Sequence, residues 1–228
     1  SDGLSIQGKN GEWIWRALVN PKRLLVTSFA LDSPLGFGLM QRQRSFAEYQ
    51  DLSTRYEAHP SAWIEPIGEW GSGRVELVQI PAPDETNDNI VAYWVSDRVA
   101  APKEAIDLHY RIHWQKDIET RPTSAWVAQT RRGKGYMPKP DAGIGFIVEF
   151  TGPMLRDLPA DAPVGADVSA DANGAIIDKQ LKRNPETGGV RLELHIRRID
   201  ETKPIELRAA LRNGDEASET WSYALPPG

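Results

Sequence analysis

Between positions 73 and 80 the chain reads Arg74-Val75-Glu76-Leu77-Val78-Gln79, and between 107 and 114 it reads Leu108-His109-Tyr110-Arg111-Ile112-His113, with polar and apolar side chains taking turns. A strand sends successive side chains to opposite faces, so a period of two marks a sheet with one buried face. Residues 12–16 and 23–29 are likewise rich in β-branched and aromatic types, and Gly, Pro, Asn and Asp punctuate the runs. The pattern predicts a mainly β, antiparallel architecture. One stretch departs from it: within residues 45–52, Phe46, Tyr49 and Leu52 fall three apart, which predicts a short helix.

A second rhythm begins near Pro140. Short strands are predicted over 146–150, 163–168, 175–177, 190–197, 205–211 and 220–225, with turn signals between them at 172–174 and 184–189. Strands this closely spaced are the signature of an immunoglobulin-like sandwich, here without its disulfide. Residues 130–139 are basic and rich in Gly and Pro, so they are expected to form a loop or linker. The expected organisation is a first domain over 1–129, the linker over 130–139, and a second domain over 140–228.

Composition narrows the function classes. The chain has 228 residues, 32 acidic against 27 basic, and a net charge of −5, which is no footprint for nucleic acid. With no cysteine there is no disulfide, thiol nucleophile or Cys-based zinc site. No run approaches the roughly 20 apolar residues of a membrane span. The first residues carry neither an initiator Met nor the basic and apolar regions of a signal peptide, so a fragment or a processed chain is expected.

Candidate chemistry concentrates before the apolar run Ile90-Val91-Ala92-Tyr93-Trp94, where Asp84, Glu85, Thr86, Asn87, Asp88 and Asn89 crowd together. Three readings stand. An Asx-rich turn satisfies its own backbone. A calcium loop would use Asp84, Thr86 and Asp88, although the glycine and closing glutamate of the EF-hand are absent. An active-site carboxylate with polar neighbours suits glycosidic chemistry. Trp13 and Trp15 share one strand face and could stack sugar rings or fill a core, and Trp63, Trp70, Trp94 and Trp126 face the same choice. His59, His109, His113 and His195 form no metalloprotease motif, and no nucleophile elbow, Walker loop or dinucleotide fingerprint is present.

The runs Gly11-Glu12-Trp13-Ile14-Trp15-Arg16, Gly36-Phe37-Gly38-Leu39-Met40-Gln41-Arg42, Pro60-Ser61-Ala62-Trp63, Gly68-Glu69-Trp70-Gly71, the stretch from Asp84 to Trp94, Gln129-Thr130-Arg131-Arg132 and Ser218-Glu219-Thr220-Trp221-Ser222-Tyr223 resemble the periplasmic glucan biosynthesis proteins of the OpgG/OpgD (MdoG/MdoD) family. The resemblance runs end to end but corresponds to the C-terminal half of whole members. It implies part of a large galactose-mutarotase-like β-sandwich followed by a small immunoglobulin-like one, in the periplasm, acting on osmoregulated glucans with a β-1,2-linked backbone. Some members are inverting hydrolases or related transglycosylases, and in those the aspartate ending Glu-Thr-Asn-Asp, here Asp88, is the general acid. Their general base would lie one position before Ser1, with Asp2 the nearest carboxylate present.

Within this reading Thr86 could relay a proton, and Glu85 could keep Asp88 protonated by like-charge repulsion. Trp13, Trp15, Trp94, Arg131, Arg132 and Tyr136 are the candidate glucan contacts. No cofactor or metal is expected. The expected partner is a β-glucan polysaccharide, with a membrane glucan synthase and a second copy of the chain, as a homodimer, as further candidates. The enzymatic reading is an inverting glycoside hydrolase or transglycosylase, with the 228-residue chain alone expected to be inactive. The reading from another class is a non-catalytic glucan-binding or scaffolding protein assisting the synthase, and the Glu-Thr-Asn-Asp motif fits both.

Overall fold

The computed structural model describes residues 2–84, 87–134, 143–156, 158–159 and 162–228. They are mainly β, in several sheets, with helix confined to short pieces. The chain divides into two compact units, Ser1–Thr120 and Arg121–Gly228.

In the first unit the strands are β1 (Gly3–Gly8), β2 (Trp13–Ala17), β3 (Leu25–Leu31), β4 (Pro34–Met40), β5 (Ser61–Ile67), β6 (Gly73–Gln79), β7 (Ile90–Ser96) and β8 (His109–Gln115). The order β2-β1-β4-β5-β8 runs antiparallel through one sheet, and β3-β6-β7 form another. Alternation decides which side chains go inside. Leu4, Ile6, Ile14 and Phe37 from one sheet meet Phe29, Val75 and Leu77 from the other in a single buried cluster. The predicted helix exists as one turn, α1 (Phe46–Tyr49), followed by a 3-10 turn at Tyr56–Ala58. No helix among the described residues is long and apolar enough to cross a membrane.

The second unit contains β9 (Trp126–Gly133), β10 (Ile144–Thr151), α2 (Pro153–Arg156), β11 (Gly165–Ala170), β12 (Gly174–Asn184), β13 (Gly189–Arg198), β14 (Ile205–Asn213), β15 (Glu216–Ala217) and β16 (Thr220–Leu225). One sheet is ordered β12-β13-β10-β9; in the other β14 lies between β11 and β16, with β15 paired to β14. Phe146, Val148, Phe150, Leu192, Leu194, Ile196, Leu207, Leu211 and Trp221 fill its core. The units divide after Thr120, ahead of the expected linker, and Thr130–Gly133, basic as it is, continues β9 in register with β10. Its charged side chains do not prevent pairing, because the ladder is made by the backbone and Arg131 and Arg132 stay exposed. Half of the expected linker, residues 135–139, lies outside the described residues.

Candidate functional site

The hairpin that carries Asp88 grows directly out of the β6–β7 ladder. Pairing ends at Gln79 opposite Ile90. Beyond it the Ile80 N–H donates to Asn89 O at 2.8 Å and Asn89 Nδ2 donates to Ile80 O at 3.0 Å, so the base of the loop is closed on both sides. Inside the loop Asn87 Nδ2 donates to Asp84 Oδ1 at 3.0 Å. Asp84, Asn87 and Asp88 are exposed. Asp84 thus holds Asn87, as an Asx-bonded turn would, and Asp88 is open to solvent next to it. Glu85 and Thr86 lie outside the described residues. Among the described residues no His, Asp and Glu side chains group in threes as a metal site.

A polar cluster forms where β1 begins. Asp2 N donates to Met40 O at 2.7 Å, and Leu18 N donates to Asp2 O at 3.0 Å, joining the ends of β4, β2 and β1. The Asp2 carboxylate accepts from Gln43 N at 2.5 Å and from the Tyr49 hydroxyl at 3.2 Å, while Gln41 Nε2 donates to the same phenol. Burial, with the Asp2 carboxylate beside it, pushes the Tyr49 hydroxyl up to about 12. Arg44 secures the β4–β5 connection: its Nη1 donates to His59 O at 2.7 Å and its Nη2 to Ser61 Oγ at 3.1 Å. Ser61 Oγ in turn donates to the buried Glu119 carboxylate at 2.5 Å. Val19 N donates to Gln79 Oε1 at 2.8 Å, so the chain leaving β2 also reaches the foot of the Asp88 hairpin.

Trp13 and Trp15 share the face of β2 opposite Ile14, as their spacing predicts. There the sheet is flattened by small residues. A Cβ on Gly3 would lie 2.4 Å from the Trp15 ring, and one on Gly36 would lie 2.2 Å from the Trp63 ring, so both indoles lie down on the strand surface. Trp13 stacks on Trp63 with centroids 5.6 Å apart and planes 24° apart, and the Arg42 guanidinium sits 3.7 Å above Trp15. Beside Trp63, Glu65 accepts from His113 at 2.6 Å and from Arg111 at 3.2 Å. These contacts, His113 first, hold the Glu65 carboxyl below its ordinary range. Trp15 and Trp63 are themselves buried, 4% and 3% exposed, the one under Arg42 and the other under Trp13, so of the expected contacts on this strand Trp15 offers no open ring and only the half-buried Trp13 could stack on a sugar.

The other expected contacts distribute differently. Trp94 points between the sheets, packed on the apolar cluster with its ring 6.1 Å from that of Trp70. Arg131 and Arg132 belong to the second unit, exposed on β9. The Tyr223 hydroxyl is raised by burial, an effect that the adjacent Arg132 partly offsets. Tyr136 lies outside the described residues. Reading along the sequence singled out neither Trp63 above the other indoles nor Arg42, Glu65 and His113; the alternation Gly36-Phe37-Gly38-Leu39 was the available signal, because it clears one face of β4.

Over residues 1–225 the chain matches the family described as periplasmic glucan biosynthesis protein, MdoG. It is 54% identical over 235 aligned positions to glucans biosynthesis protein G of Ralstonia nicotianae, covering 100% of this chain and 47% of that protein. To the protein of the same description from Serratia proteamaculans it is 48% identical over 235 positions, covering 99% and 45%. The chain thus spans about half the length of the curated relatives it matches.

Proposed function

The chain belongs to the periplasmic glucan biosynthesis protein family, MdoG, and from that premise we propose that it serves a periplasmic protein that binds and cleaves β-1,2-glucan by inversion. Asp88 is the general acid in this reading. It donates its proton to the glycosidic oxygen as that bond to the anomeric carbon breaks, while a water attacks the same carbon from the opposite face and loses its proton to a second carboxylate. Inversion needs the two carboxyl groups about 6.5–9.5 Å apart, with room for that water. The base that the resemblance puts one position before Ser1 would enter β1 at the end where Asp2 is tied to Leu18 and Met40. Glu85 as modulator of Asp88, and Thr86 as a relay, complete the proposed acid arm.

The observation that carries the reading is the hairpin itself: an exposed Asp88 on an arm closed at its base by Ile80 and Asn89, in the same unit as an aromatic sheet face. Trp13, half-buried on the Trp63 ring, is the proposed sugar contact on this face, with the buried Trp15 and Trp63 supporting it from within, and Arg131, Arg132 and Tyr136 are further proposed contacts. The reading also takes the first unit as part of a galactose-mutarotase-like sandwich and the second as immunoglobulin-like; the antiparallel strands of each unit, divided between two sheets, support it. Its proposed partners are the glucan, a membrane glucan synthase and a second copy of the chain. The test is to incubate the protein made from its complete reading frame with linear β-1,2-glucan. New reducing ends of inverted configuration are expected; tight binding without any would favour the scaffolding role.

A further inference from the structure

We infer that Asn20 and Gln79 are positioning residues that hold the Asp88 hairpin to the end of the first unit where β1 begins, an inference that rests on the reading of Asp88 as the general acid. The segment leaving β2 makes no strand of its own at residues 18–20. Its backbone donors nonetheless have destinations: Leu18 N goes to Asp2 O at 3.0 Å and Val19 N to Gln79 Oε1 at 2.8 Å. Asn20 then closes a two-bond ring with the hairpin, Nδ2 donating to Ala82 O at 2.8 Å and Ala82 N donating to Oδ1 at 3.1 Å. A side-chain amide here takes the place of a neighbouring strand's peptide group and grips the arm of the loop that leads to Asp84 and Asp88.

Gln79 is informative for where it sits. On β6 the interior positions are Val75, Leu77 and Gln79, so the alternation calls for an apolar side chain at the third. An amide occupies it, fully buried, and its Nε2 has no hydrogen-bond partner. Burying an unmet donor is unfavourable, so packing alone does not account for the choice; the acceptor for Val19 does. The two amides bridge segments about 60 residues apart in sequence. Through Leu18 and Asp2 they connect the acid-bearing hairpin to the start of β1, the end at which the proposed base would stand, and an inverting mechanism depends on the separation of its two carboxyl groups. A displacement of about 1 Å in such a group costs on the order of 10²-fold in rate.

The experiment uses Asn20→Ala and Gln79→Met in the protein made from its complete reading frame, with linear β-1,2-glucan as the probe. Methionine keeps the length and removes both the acceptor for Val19 and the buried donor without a partner, two costs of opposite sign, so Gln79→Met should fold with a melting temperature close to the parent's. The expected result is a fall in kcat of about 10-fold or more for each, with KM within about twofold. In Asn20→Ala, hydrogen exchange at the Ala82 amide should quicken while the Val78 amide, inside the β6–β7 ladder, keeps its protection. Unchanged exchange at Ala82 would overturn the clamp. Faster exchange with parental kcat would overturn its positioning role. If the parental protein releases no reducing ends, the hydrolytic reading beneath fails separately, and the exchange data alone decide whether the amides hold the hairpin.

Discussion

Trp221 and Trp114 lie on strands of the two units and meet opposite surroundings: Trp221 is 0% exposed, with Phe146 and Tyr223 against its ring, while Trp114 is 71% exposed near the end of β8. The local sequences do not foretell this. His109-Tyr110-Arg111-Ile112-His113-Trp114 alternates as regularly as Val190-Arg191-Leu192-Glu193-Leu194-His195-Ile196. In the second unit the apolar rows are covered, and Val190, Leu192, Leu194 and Ile196 are buried. In the first, Tyr110, Ile112 and Trp114 extend the face that carries Ile64, yet all three are exposed, and no described strand pairs with the outer edge of β8. Alternation reports that a strand has an apolar face, and says nothing of whether another layer lies on it. The proposed chemistry sits in the unit whose layers are less complete.

The largest expected effect comes from cutting the second unit between β9 and β10. A fragment of residues 121–228 should unfold cooperatively on heating, because each apolar row has its cover. A fragment of 140–228 should not: it lacks β9, whose Val127 is buried and accepts a place in the core through the Glu219 carboxylate bonded to its N–H at 3.0 Å. Equal cooperative transitions for both fragments, followed by circular dichroism, would show that β9 is dispensable. Next comes the tryptophan pair. Trp221→Ala should cost about 3–5 kcal/mol in chemical denaturation, since it also strips Thr130 Oγ1 of its indole donor at 2.9 Å. Trp114→Ala should fall within about 0.5 kcal/mol of the parent; a loss several times larger would mean that β8 is covered in solution.

The smallest effect belongs to Tyr49. Its folded pKa is raised from 10.0 to about 12, so its contribution to stability is complete below pH 10 and is lost as the pH rises through about 12. The melting temperature of the parent should decline across that window, and Tyr49→Phe should flatten much of the decline. A phenol titration at 295 nm with no step near 12 would contradict the contact with Asp2.

What the sequence carried and what it did not follow from the same physics. The β6 alternation was legible because one of its faces is core and the other is partly exposed. Pro34–Met40 did not read as a strand, since Gly36 and Gly38 look like turn residues; Gly36 is small there to seat the Trp63 indole, and Gly38 to let the β5 backbone at Ala62 come close. On β7 both Ala92 and Trp94 on one face and Val91 and Tyr93 on the other are apolar or aromatic, so only the register, Val75 opposite Trp94, reveals that this indole points inward. Glu65 and His113 are 48 positions apart and become neighbours through β5–β8 pairing alone. Tyr49 was legible as one member of a helical turn, but its hydroxyl's partner, Asp2, lies 47 residues away. Local patterns are written in the chain, whereas pairings across sheets depend on topology.

The measurement that bears most directly on the central claim is the turnover of linear β-1,2-glucan by Asp88→Asn in the protein made from its complete reading frame. Asparagine keeps the size and hydrogen-bonding ability of the protonated acid but has no proton to transfer, and general acid catalysis contributes about 10²–10⁴-fold. The account predicts a loss of that order in kcat with KM little changed, at an unaltered melting temperature, while Asp84→Asn, which keeps an acceptor for Asn87, stays near the parent. A folded Asp88→Asn protein that releases reducing ends at the parental rate would contradict it.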